Sequence, residues 1–521
     1  MAESTSITNT REVHEEAAKT PLWGSSRLGL AILGFFGFVN SYALLVNTSV
    51  AIVCMVNRTA IQTNTSTLDE DMGSSCVQID INPNVSSVSQ LADQHGEFEW
   101  NTKIQGYILG AFFWGYLLTQ VPAGWIATRF GGKLVFGWSM LIATISTLLI
   151  PIAAKTSYIF LIVLRIIIGM CSGTVFPAMH ALWGNWSPPL ERSKLTAFTY
   201  SGTQAGIVIT FPLGAYLCRS GFAGGWPSIF YICGIASFIW FVVWMFYVSD
   251  TPAKHKRISR AEREYIVQSL AEGAHKARRQ DLNVPWLKIA KSMPNHAIVV
   301  SNITSDWGAF TLLTYIPTYM NDVLKFDITT NGLYSALPYI AFWAMINVGG
   351  WLADLVRERQ LMSTTLTRKV FDAFGKIVPA VMLIGLGYID CSQKALAIVL
   401  LILAVSLTGF QYSGFIVNHV DIAPYYAGIL FGISNSLASI AGFVSPVIVG
   451  EITKEAQTRS QWQIVFYVAA AIYIFGAIFY VLFASGDLQP WARETVQLEI
   501  RNPENGDLQP LEPLNGNADN V

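Results

Sequence analysis

The stretch GWIATRFGGK at 124–133 returns as GWLADLVRER at 350–359, and this repetition shows how the chain is organised. Each copy ends a long apolar run, opens with a glycine that allows two helices to approach closely, and is followed by basic residues. The first copy contains Gly124 and Arg129, and the second contains Gly350 and Asp354. Because the motif recurs at equivalent places, it indicates two structurally similar halves within one chain.

The chain contains twelve apolar runs that are nearly free of Asp, Glu, Lys and Arg. The two repeated motifs lie at the ends of the second and the eighth of these runs. Each is long enough to cross the ~30 Å hydrocarbon core of a bilayer as a helix, which satisfies its own backbone where water is absent. Because 52% of the residues are apolar and only 13% are charged, we predict an all-α membrane protein with two six-helix halves. The runs lie at 28–56, 104–128, 134–154, 158–183, 195–217, 227–249, 296–320, 332–353, 373–390, 395–417, 424–449 and 463–484.

The distribution of basic residues predicts the orientation, because Lys and Arg resist translocation. With the N-terminus in the cytosol, the inner loops hold 19 Lys and Arg residues and the outer loops hold 8. The first outer loop, 57–103, also carries the N-glycosylation sequons of Asn57, Asn64 and Asn84, and this modification is lumenal. Both signals place the two termini in the cytosol.

These features divide the chain into five parts. A polar cytosolic tail without a cleavable signal peptide precedes the first half, and a basic cytosolic linker joins the two halves. The C-terminal tail is poor in apolar residues and is expected to be cytosolic and disordered. The parts are 1–27 for the first tail, 28–249 for the first half, 250–295 for the linker, 296–484 for the second half and 485–521 for the last tail.

Composition and spacing exclude several classes of protein. The formal net charge of −1 provides no basic surface for nucleic acid. The sequence shows no Ser-His-Asp arrangement, metal-ligand spacing or phosphate-binding glycine loop, so we expect neither an enzyme nor a cofactor or metal site. The six cysteines show no paired spacing; Cys76 and Cys391 both fall in outer loops, which leaves a bridge between them open.

Several strings of residues are shared with a known family. Both repeated motifs resemble the Gly-x-x-x-Asp-Arg signature of the major facilitator superfamily, with Thr128 at the acidic position of the first copy. More specific strings resemble solute carrier family 17, the organic and inorganic anion symporters, over about 28–491. These strings are FPAMHA at 176–181, PPLERSK at 188–194, SDTP at 249–252 and NHVDIAP at 418–424.

Two charged residues lie well inside the predicted spans, Arg165 in the fourth and Asp306 in the seventh. Such residues cost at least ~2.5–3.5 kcal/mol at a helix centre on insertion scales, so they usually face a cavity or a partner. A guanidinium suits a carboxylate or phosphate, and the family carries an arginine here too, so we predict that Arg165 binds substrate. The alternative is a structural pairing with an acid or with backbone carbonyls.

Asp306 is the candidate site for a coupled proton or cation, with a permanent ion pair or hydrogen-bonded carboxylate as the alternative. Three positions in the first half depart from the family pattern, two of them on the helical face of Arg165. Leu45 stands where the family usually has an arginine, and Ile168 and Ser172 stand where relatives of the same subgroup have glutamates to which proton coupling would be assigned. The choice between proton and sodium coupling therefore stays open.

Other polar residues complete the candidate site. His180 can titrate near neutral pH and is a second coupling candidate, with a gate or packing role as the alternative. The repeated motifs supply the candidate gate residues Gly124, Arg129, Gly350 and Asp354. Five further residues could hydrogen-bond a hydroxylated anion, although helix-to-helix hydrogen bonding is the more common use of such residues. They are Asn47, Tyr116, Gln204, Tyr315 and Asn435.

The resemblance implies a transporter of a small anionic solute that works by alternating access, as a monomer, in symport with a proton or sodium ion. We expect an organic anion, an acidic sugar or another carboxylate, coupled to protons. Sodium-dependent cotransport of inorganic phosphate is the alternative, since arginine binds either group. A sensor or scaffold that binds ligand without moving it is an alternative of another class. The expected location is the plasma membrane or a lysosomal or vesicular membrane.

Overall fold

The computed structural model describes residues 21–57, 96–188, 191–277, 284–389, 391–423, 426–454 and 458–492. Within these ranges the chain is helical apart from short turns and one isolated bridge, in which Phe98 N–H donates to the Met55 carbonyl at 2.9 Å. The predicted all-α architecture is therefore confirmed for the part of the chain that is described.

The described residues of the first half form seven α-helices, because its fourth span is divided in two at Thr174. Side chains of Ser25, Asn101 and Ser157 cap three of these helices by accepting from backbone N–H groups in the first turn. The helices are α1 Ser26–Met55, α2 Thr102–Phe130, α3 Gly132–Thr156, α4 Tyr158–Gly173, α5 Val175–Trp186, α6 Arg192–Ser220 and α7 Trp226–Tyr247.

Two short helices, α8 Arg260–Ala277 and α9 Trp286–Ala290, lie between the halves. In the second half the fourth span is again divided, here by the 3₁₀ helix Leu407–Ser413. The helices of this half are α10 Met293–Asp322, α11 Ile328–Glu358, α12 Thr364–Leu386, α13 Lys394–Ser406, α14 Phe415–Ile422, α15 Ala427–Ile452 and α16 Arg459–Phe483.

By length and apolar character alone, eight helices or helix pairs of the described chain are suited to crossing a membrane. The remaining long helices, α2, α6, α10 and α12, contain more polar residues but have 23 to 30 residues. At ~1.5 Å per residue, even 23 residues span about 35 Å, which exceeds the hydrocarbon core. Helices therefore coincide with all twelve predicted runs.

The ninth span begins earlier than its apolar run predicts. The run starts at 373, whereas α12 starts at Thr364 and so also contains Arg368 and Asp372, on the same face as Lys376. Arg368, Asp372 and Lys376 are all buried, so counting the two basic residues among the loops is wrong. They occupy one face of the helix at intervals of four residues, and that face packs against protein instead of lipid.

The two halves meet along seams between α2 and α15 and between α6 and α11. Close approach requires glycine at Gly106, where a Cβ would lie 2.6 Å from the Pro446 carbonyl, and at Gly332, where it would overlap Ala215. We call the end of the bundle where α1 begins the inner end and the opposite end the outer end. At the outer end a disulfide joins Cys54 of α1 to Cys218 of α6.

Candidate transport site

Asp306 lies near the middle of α10, thirteen residues after Met293, which is about 20 Å along a helix of about 45 Å. Asp306 is half-buried. Within the described residues it forms neither an ion pair nor a hydrogen bond. It interacts electrostatically with tyrosines from four other elements, Tyr42 of α1, Tyr116 of α2, Tyr412 of the 3₁₀ helix and Tyr473 of α16.

This grouping contains residues of both halves, since α1 and α2 belong to the first half and the other elements to the second. Tyr42, Tyr116 and Tyr412 are half-buried like Asp306, whereas Tyr473 is fully buried with its ring against Gly308. We name Asp306 with these four tyrosines the central cluster. A cluster shared between halves at mid-membrane is where a transporter of repeated halves binds its solute.

Arg165 is 1% exposed and contacts protein groups in this conformation. Its Nη1 donates to the carbonyl of Leu44 at 3.1 Å and its Nη2 to the carbonyl of Leu45 at 3.2 Å. The guanidinium also lies 5.2 Å from the ring centroid of Phe112 on α2. Its buried Nε has no hydrogen-bond partner among the described residues. Arg165 thus connects α4 to α1 and α2 and keeps an unused donor.

Two of the five residues predicted to hydrogen-bond the anion form hydrogen bonds with other protein groups in this conformation. Asn47 is fully buried and accepts from Thr48 Oγ1 at 3.1 Å. Tyr315 is 3% exposed and its hydroxyl donates to the Pro446 carbonyl at 2.9 Å, which connects α10 to α15. Tyr315 therefore stabilises helix packing in this conformation, whereas the hydrogen bond of Asn47 stays within α1.

The remaining three lie closer to the boundary between the halves. Asn435 of α15 donates to Oε1 of Gln120 on α2 at 3.1 Å. Gln120, which was not among the predicted residues, thereby connects α2 to α15 across the seam, one helical turn after Tyr116. Gln204 of α6 is half-buried, and its buried Oε1 has no partner within the described chain.

His180 lies on α5 toward the inner end and is exposed. Its Nδ1 is 2.9 Å from the Phe176 carbonyl and 2.9 Å from the hydroxyl of Tyr200 on α6. Tyr200 also packs edge-on against Phe38 of α1, with ring centroids 5.0 Å apart. His180 is therefore placed where α5 and α6 meet at the inner end, outside the central cluster.

The repeated motifs lie at the inner end of α2 and α11. Gly124 and Gly350 face open space, and Arg129 lies 5.6 Å from the ring of Trp125. Asp354 lines a shallow surface groove with Arg357 and Ser363. An unpredicted residue, Asp250, accepts from the backbone N–H of Lys133 at 2.8 Å and thereby caps the N-terminus of α3.

Buried ion pairs are the features that sequence reasoning missed. On α12, Lys376 Nζ donates to Asp372 Oδ1 at 2.7 Å, and the hydroxyl of Ser301 on α10 donates to the same oxygen at 2.8 Å. Arg368 Nε pairs with Asp421 Oδ2 at 2.6 Å. Arg368, Asp372 and Lys376 alternate in sign at four-residue spacing, which is the sequence signal for such a helix face.

The structure shows a disulfide that the sequence did not predict, and of the three asparagines predicted to be glycosylated it describes Asn57. The bridge that the structure shows, Cys54–Cys218, was not predicted, because both cysteines lie at helix ends 164 residues apart. Cys76 lies outside the described residues, as do the sequons of Asn64 and Asn84. Asn57 follows α1 at the outer end, where its N–H donates to the Phe98 carbonyl at 2.8 Å.

Residues 49–446 match the family model of the Major Facilitator Superfamily. The chain is 44% identical to human sialin over 91% of its own length and 92% of the relative. It is 38% identical to vesicular glutamate transporter 2 of Bos taurus, over 91% of the chain and 78% of the relative. It is also 38% identical to a putative inorganic phosphate cotransporter of Drosophila ananassae, over 88% and 92%.

The fold has a solved counterpart in a bacterial homolog of the human lysosomal transporter Spinster, with a TM-score of 0.63 at 11% identity, covering 92% of this chain and 99% of that one. The chain belongs to the major facilitator superfamily and, within it, to solute carrier family 17. It is a multi-pass membrane transporter and not an enzyme. The predicted family and fold are thereby confirmed.

Proposed function

We propose that this protein is a secondary active transporter that moves an organic anion across its membrane by alternating access, with a proton coupled at Asp306. The observation that carries the proposal is the central cluster, in which a carboxyl that has no cationic partner among the described residues lies near the middle of α10. A carboxyl in such a place can bind a proton in one conformation and release it in another. In the part of the chain that the structure describes, the four tyrosines of the central cluster are the titratable groups that interact with it electrostatically.

Arg165 supplies the positive charge for the anion in this proposal. In the structure two of its five N–H donors are directed at the carbonyls of Leu44 and Leu45, and Nε is unused. A carboxylate that reached the guanidinium would exchange neutral acceptors for a charged one, which makes roughly twice as strong a hydrogen bond. Substrate binding is therefore proposed to draw Arg165 away from α1.

The relatives' names favour two substrate classes. One relative is a vesicular glutamate transporter, which supports an organic carboxylate as the first choice. Another is a putative inorganic phosphate cotransporter, which keeps phosphate with sodium as the second candidate. Tyr116, Gln204 and Asn435, near the boundary between halves, are proposed to hydrogen-bond the solute, and His180 to act at the inner gate.

We propose that both termini are cytosolic. The excess of basic residues in the inner loops supports this orientation. The Cys54–Cys218 disulfide at the outer end requires an oxidising compartment, which is the lumen or the extracellular space. A plasma-membrane or lysosomal or vesicular location fits both observations, with the protein acting as a monomer.

Uptake into liposomes that contain the purified protein tests the proposal. Labelled glucuronate, glutarate and phosphate are offered under pH, sodium and voltage gradients. We expect a pH gradient to drive accumulation of at least one carboxylate, Arg165→Ala to abolish it, and Asp306→Asn to remove its pH dependence. Asp487→Asn, at an exposed carboxylate that follows α16, is the matched control.

Two results would contradict the proposal. Sodium-driven accumulation of phosphate alone would favour the phosphate cotransporter. Saturable binding of an anion without accumulation under any gradient would favour a sensor or scaffold.

A further inference from the structure

The first half of α12 holds a buried charge pair that the proposed mechanism does not use. Asp372 and Lys376 lie eight and twelve residues after Thr364, which is about 12 and 18 Å along the helix. Both side chains are 0% exposed. The ammonium group of Lys376 donates to Asp372 Oδ1 at 2.7 Å, to Asp372 Oδ2 at 2.9 Å and to the hydroxyl of Ser301. Its three N–H donors are thus all used, on two carboxylate oxygens and one hydroxyl.

The pair lies against the break in the fourth span of the second half. A Cβ on Gly414, at which the 3₁₀ helix Leu407–Ser413 is followed by α14, would lie 2.7 Å from Cβ of Asp372. A Cβ on Gly375 would lie 2.6 Å from the backbone nitrogen of Gln411 in the same 3₁₀ helix. Transporters coordinate coupling cations at interrupted helices, because oxygen atoms released from helical hydrogen bonds can face an ion there. Asp372 therefore has the surroundings of a cation ligand.

Two amide oxygens without a hydrogen-bond partner lie in the same packed region. Among the described residues, the buried Oε1 of Gln411 and the buried Oδ1 of Asn418 accept no hydrogen bond. Asn418 Nδ2 donates to the hydroxyl of Tyr480 at 2.8 Å, and the Tyr480 ring centroid lies 5.9 Å from Lys376 Nζ. Hard cations prefer carboxylate, hydroxyl and amide oxygens. All three kinds of oxygen are present here, together with a protein cation.

We propose that Asp372 and Ser301 form a cation site in which the ammonium group of Lys376 takes the place of a sodium ion. A buried carboxylate needs a positive partner, and the tethered ammonium supplies that charge at the same oxygens without an ion from solution. This inference rests on the proposed function and deepens it, because it assigns the selection of the coupling ion to Lys376. The chain then transports its anion without sodium, and a proton remains as the coupling ion.

Removing the tethered charge should convert the site into one that binds sodium. In Lys376→Met the side chain ends one atom short of Nζ, so the carboxylate of Asp372 stays charged and gains room for an ion. We expect sodium chloride to raise the melting temperature of purified Lys376→Met by about 3 °C or more over choline chloride at equal ionic strength. The unaltered protein, and Lys376→Met combined with Asp372→Asn, should melt alike in the two salts.

A lysine at the surface supplies the matched control. Lys155→Met removes the cation from an exposed ion pair with Glu97, where water replaces the lost partner. Its melting temperature should respond to sodium no more than that of the unaltered protein. Monodisperse elution in size-exclusion chromatography shows that each variant is folded. If Lys376→Met is not recovered in either salt, Lys376→Gln, which is neutral and can donate to Asp372, is measured in its place with the same expected result.

Uptake into liposomes tests which ion is coupled. Under a pH gradient, the unaltered protein should accumulate its anion from the panel of glucuronate, glutarate and phosphate equally well in sodium and in choline. Lys376→Met should lose its uptake rate by about tenfold when choline replaces sodium, because only the carriers with a neutralised site are active.

Several outcomes would overturn the inference. A folded Lys376 variant that melts at the same temperature in both salts would show that the pair is only structural. A sodium response that survives the addition of Asp372→Asn would place the ion elsewhere. Failure to recover either Lys376 variant in sodium would mean that sodium does not replace the lost charge.

The proposed function can fail separately. If a sodium gradient drives uptake by the unaltered protein, Lys376 does not exclude sodium and the inference falls, while anion transport stands. If no anion in the panel is accumulated under any gradient, the proposed function falls, and the melting temperatures in the two salts still decide whether Lys376 occupies a cation site.

Discussion

At the scale of single residues, Arg165 combines a structural and a chemical role that compete with each other. Its guanidinium stabilises the packing of α4 on α1 while it donates to Leu44 and Leu45. Leu45 stands where the family usually has an arginine, so a second cation does not crowd Arg165 at this point. The charge is thus held in place by carbonyls that a substrate carboxylate can replace.

Arg165→Lys separates these two roles. Lysine keeps the charge but loses the planar fork, so it cannot pair with a carboxylate in bidentate geometry. We expect the KM for the transported anion to rise about tenfold or more, because a charge-assisted hydrogen bond contributes ~1.5–3 kcal/mol. Uptake measured over a range of substrate concentrations, together with thermal stability, checks this. A lower melting temperature with an unchanged KM would mean that Arg165 acts only in packing.

The sequence predicted the depth of Arg165 but not its partners. Depth follows from position in an apolar run, whereas the partners are backbone carbonyls about 120 residues away that any neighbouring helix could supply. For the same reason Tyr315 was a plausible substrate ligand until its bond to the Pro446 carbonyl was visible. Asp306 could be identified from the sequence, because an acidic residue inside an apolar run is costly in the membrane and usually has a functional role.

At the scale of helices, α12 shows where a hydropathy pattern misleads. Its first turns carry Arg368, Asp372 and Lys376 on one buried face, and the apolar run alone begins after most of them. Hydrogen bonds and ion pairing to Ser301 on α10 and Asp421 on α14 stabilise this charged face inside the bundle. Those partners are distant in sequence, so the end of the span could not be placed from the sequence.

The Asp372–Lys376 pair yields a stability prediction. Lys376→Met leaves the buried Asp372 carboxylate without its cation, and breaking a buried pair from one side typically costs about 3–5 kcal/mol. We expect a marked fall in melting temperature in detergent. Adding Asp372→Asn should recover most of the loss, because no charge then remains unpaired. A single and a double variant that are equally unstable would show that the pair contributes through shape and not through charge.

The segment between the halves contains a pH-sensitive group. His255 packs between the rings of Trp186 and Tyr247, with centroids 5.2 and 5.4 Å away. Burial lowers the pKa of His255 from its ordinary value of 6.5, although a backbone hydrogen bond at Tyr247 and the carboxylate of Glu262 oppose this, and Arg257 and Lys133 add to it. The folded protein therefore disfavours the protonated ring.

His255 should make the protein less stable in acid. As the pH falls below 6.5, the unfolded chain binds a proton that the folded site resists, so the contribution of this residue to stability is lost as the pH approaches the folded pKa. Melting temperatures between pH 7.5 and 5 should decline less steeply in His255→Phe than in the unaltered protein. His296→Phe, at an exposed histidine, is the control. Identical slopes for the two variants would exclude His255 as the source.

At the scale of the whole molecule, the repeat found in the sequence corresponds to two helical halves joined by two seams. The seams close most clearly at the outer end, where Thr102 Oγ1 donates to the Gly450 carbonyl at 3.2 Å and Arg219 Nη1 to Thr329 Oγ1 at 3.2 Å. The Cys54–Cys218 bridge lies within the first half, so it leaves the halves free to rock against each other. Alternating access requires these outer contacts to separate.

Tethering the halves at the outer end should therefore stop transport. Arg219→Cys with Thr329→Cys places one thiol in each half, and a bismaleimide joins them irreversibly without affecting the existing disulfide. We expect uptake to fall to background in proportion to the fraction that is crosslinked. The matched control is Glu97→Cys with Lys155→Cys, which replaces an exposed ion pair of 3.6 Å inside the first half. Because that tether spans no moving seam, uptake should persist; full activity in the crosslinked Arg219–Thr329 variant would mean that the halves do not separate there.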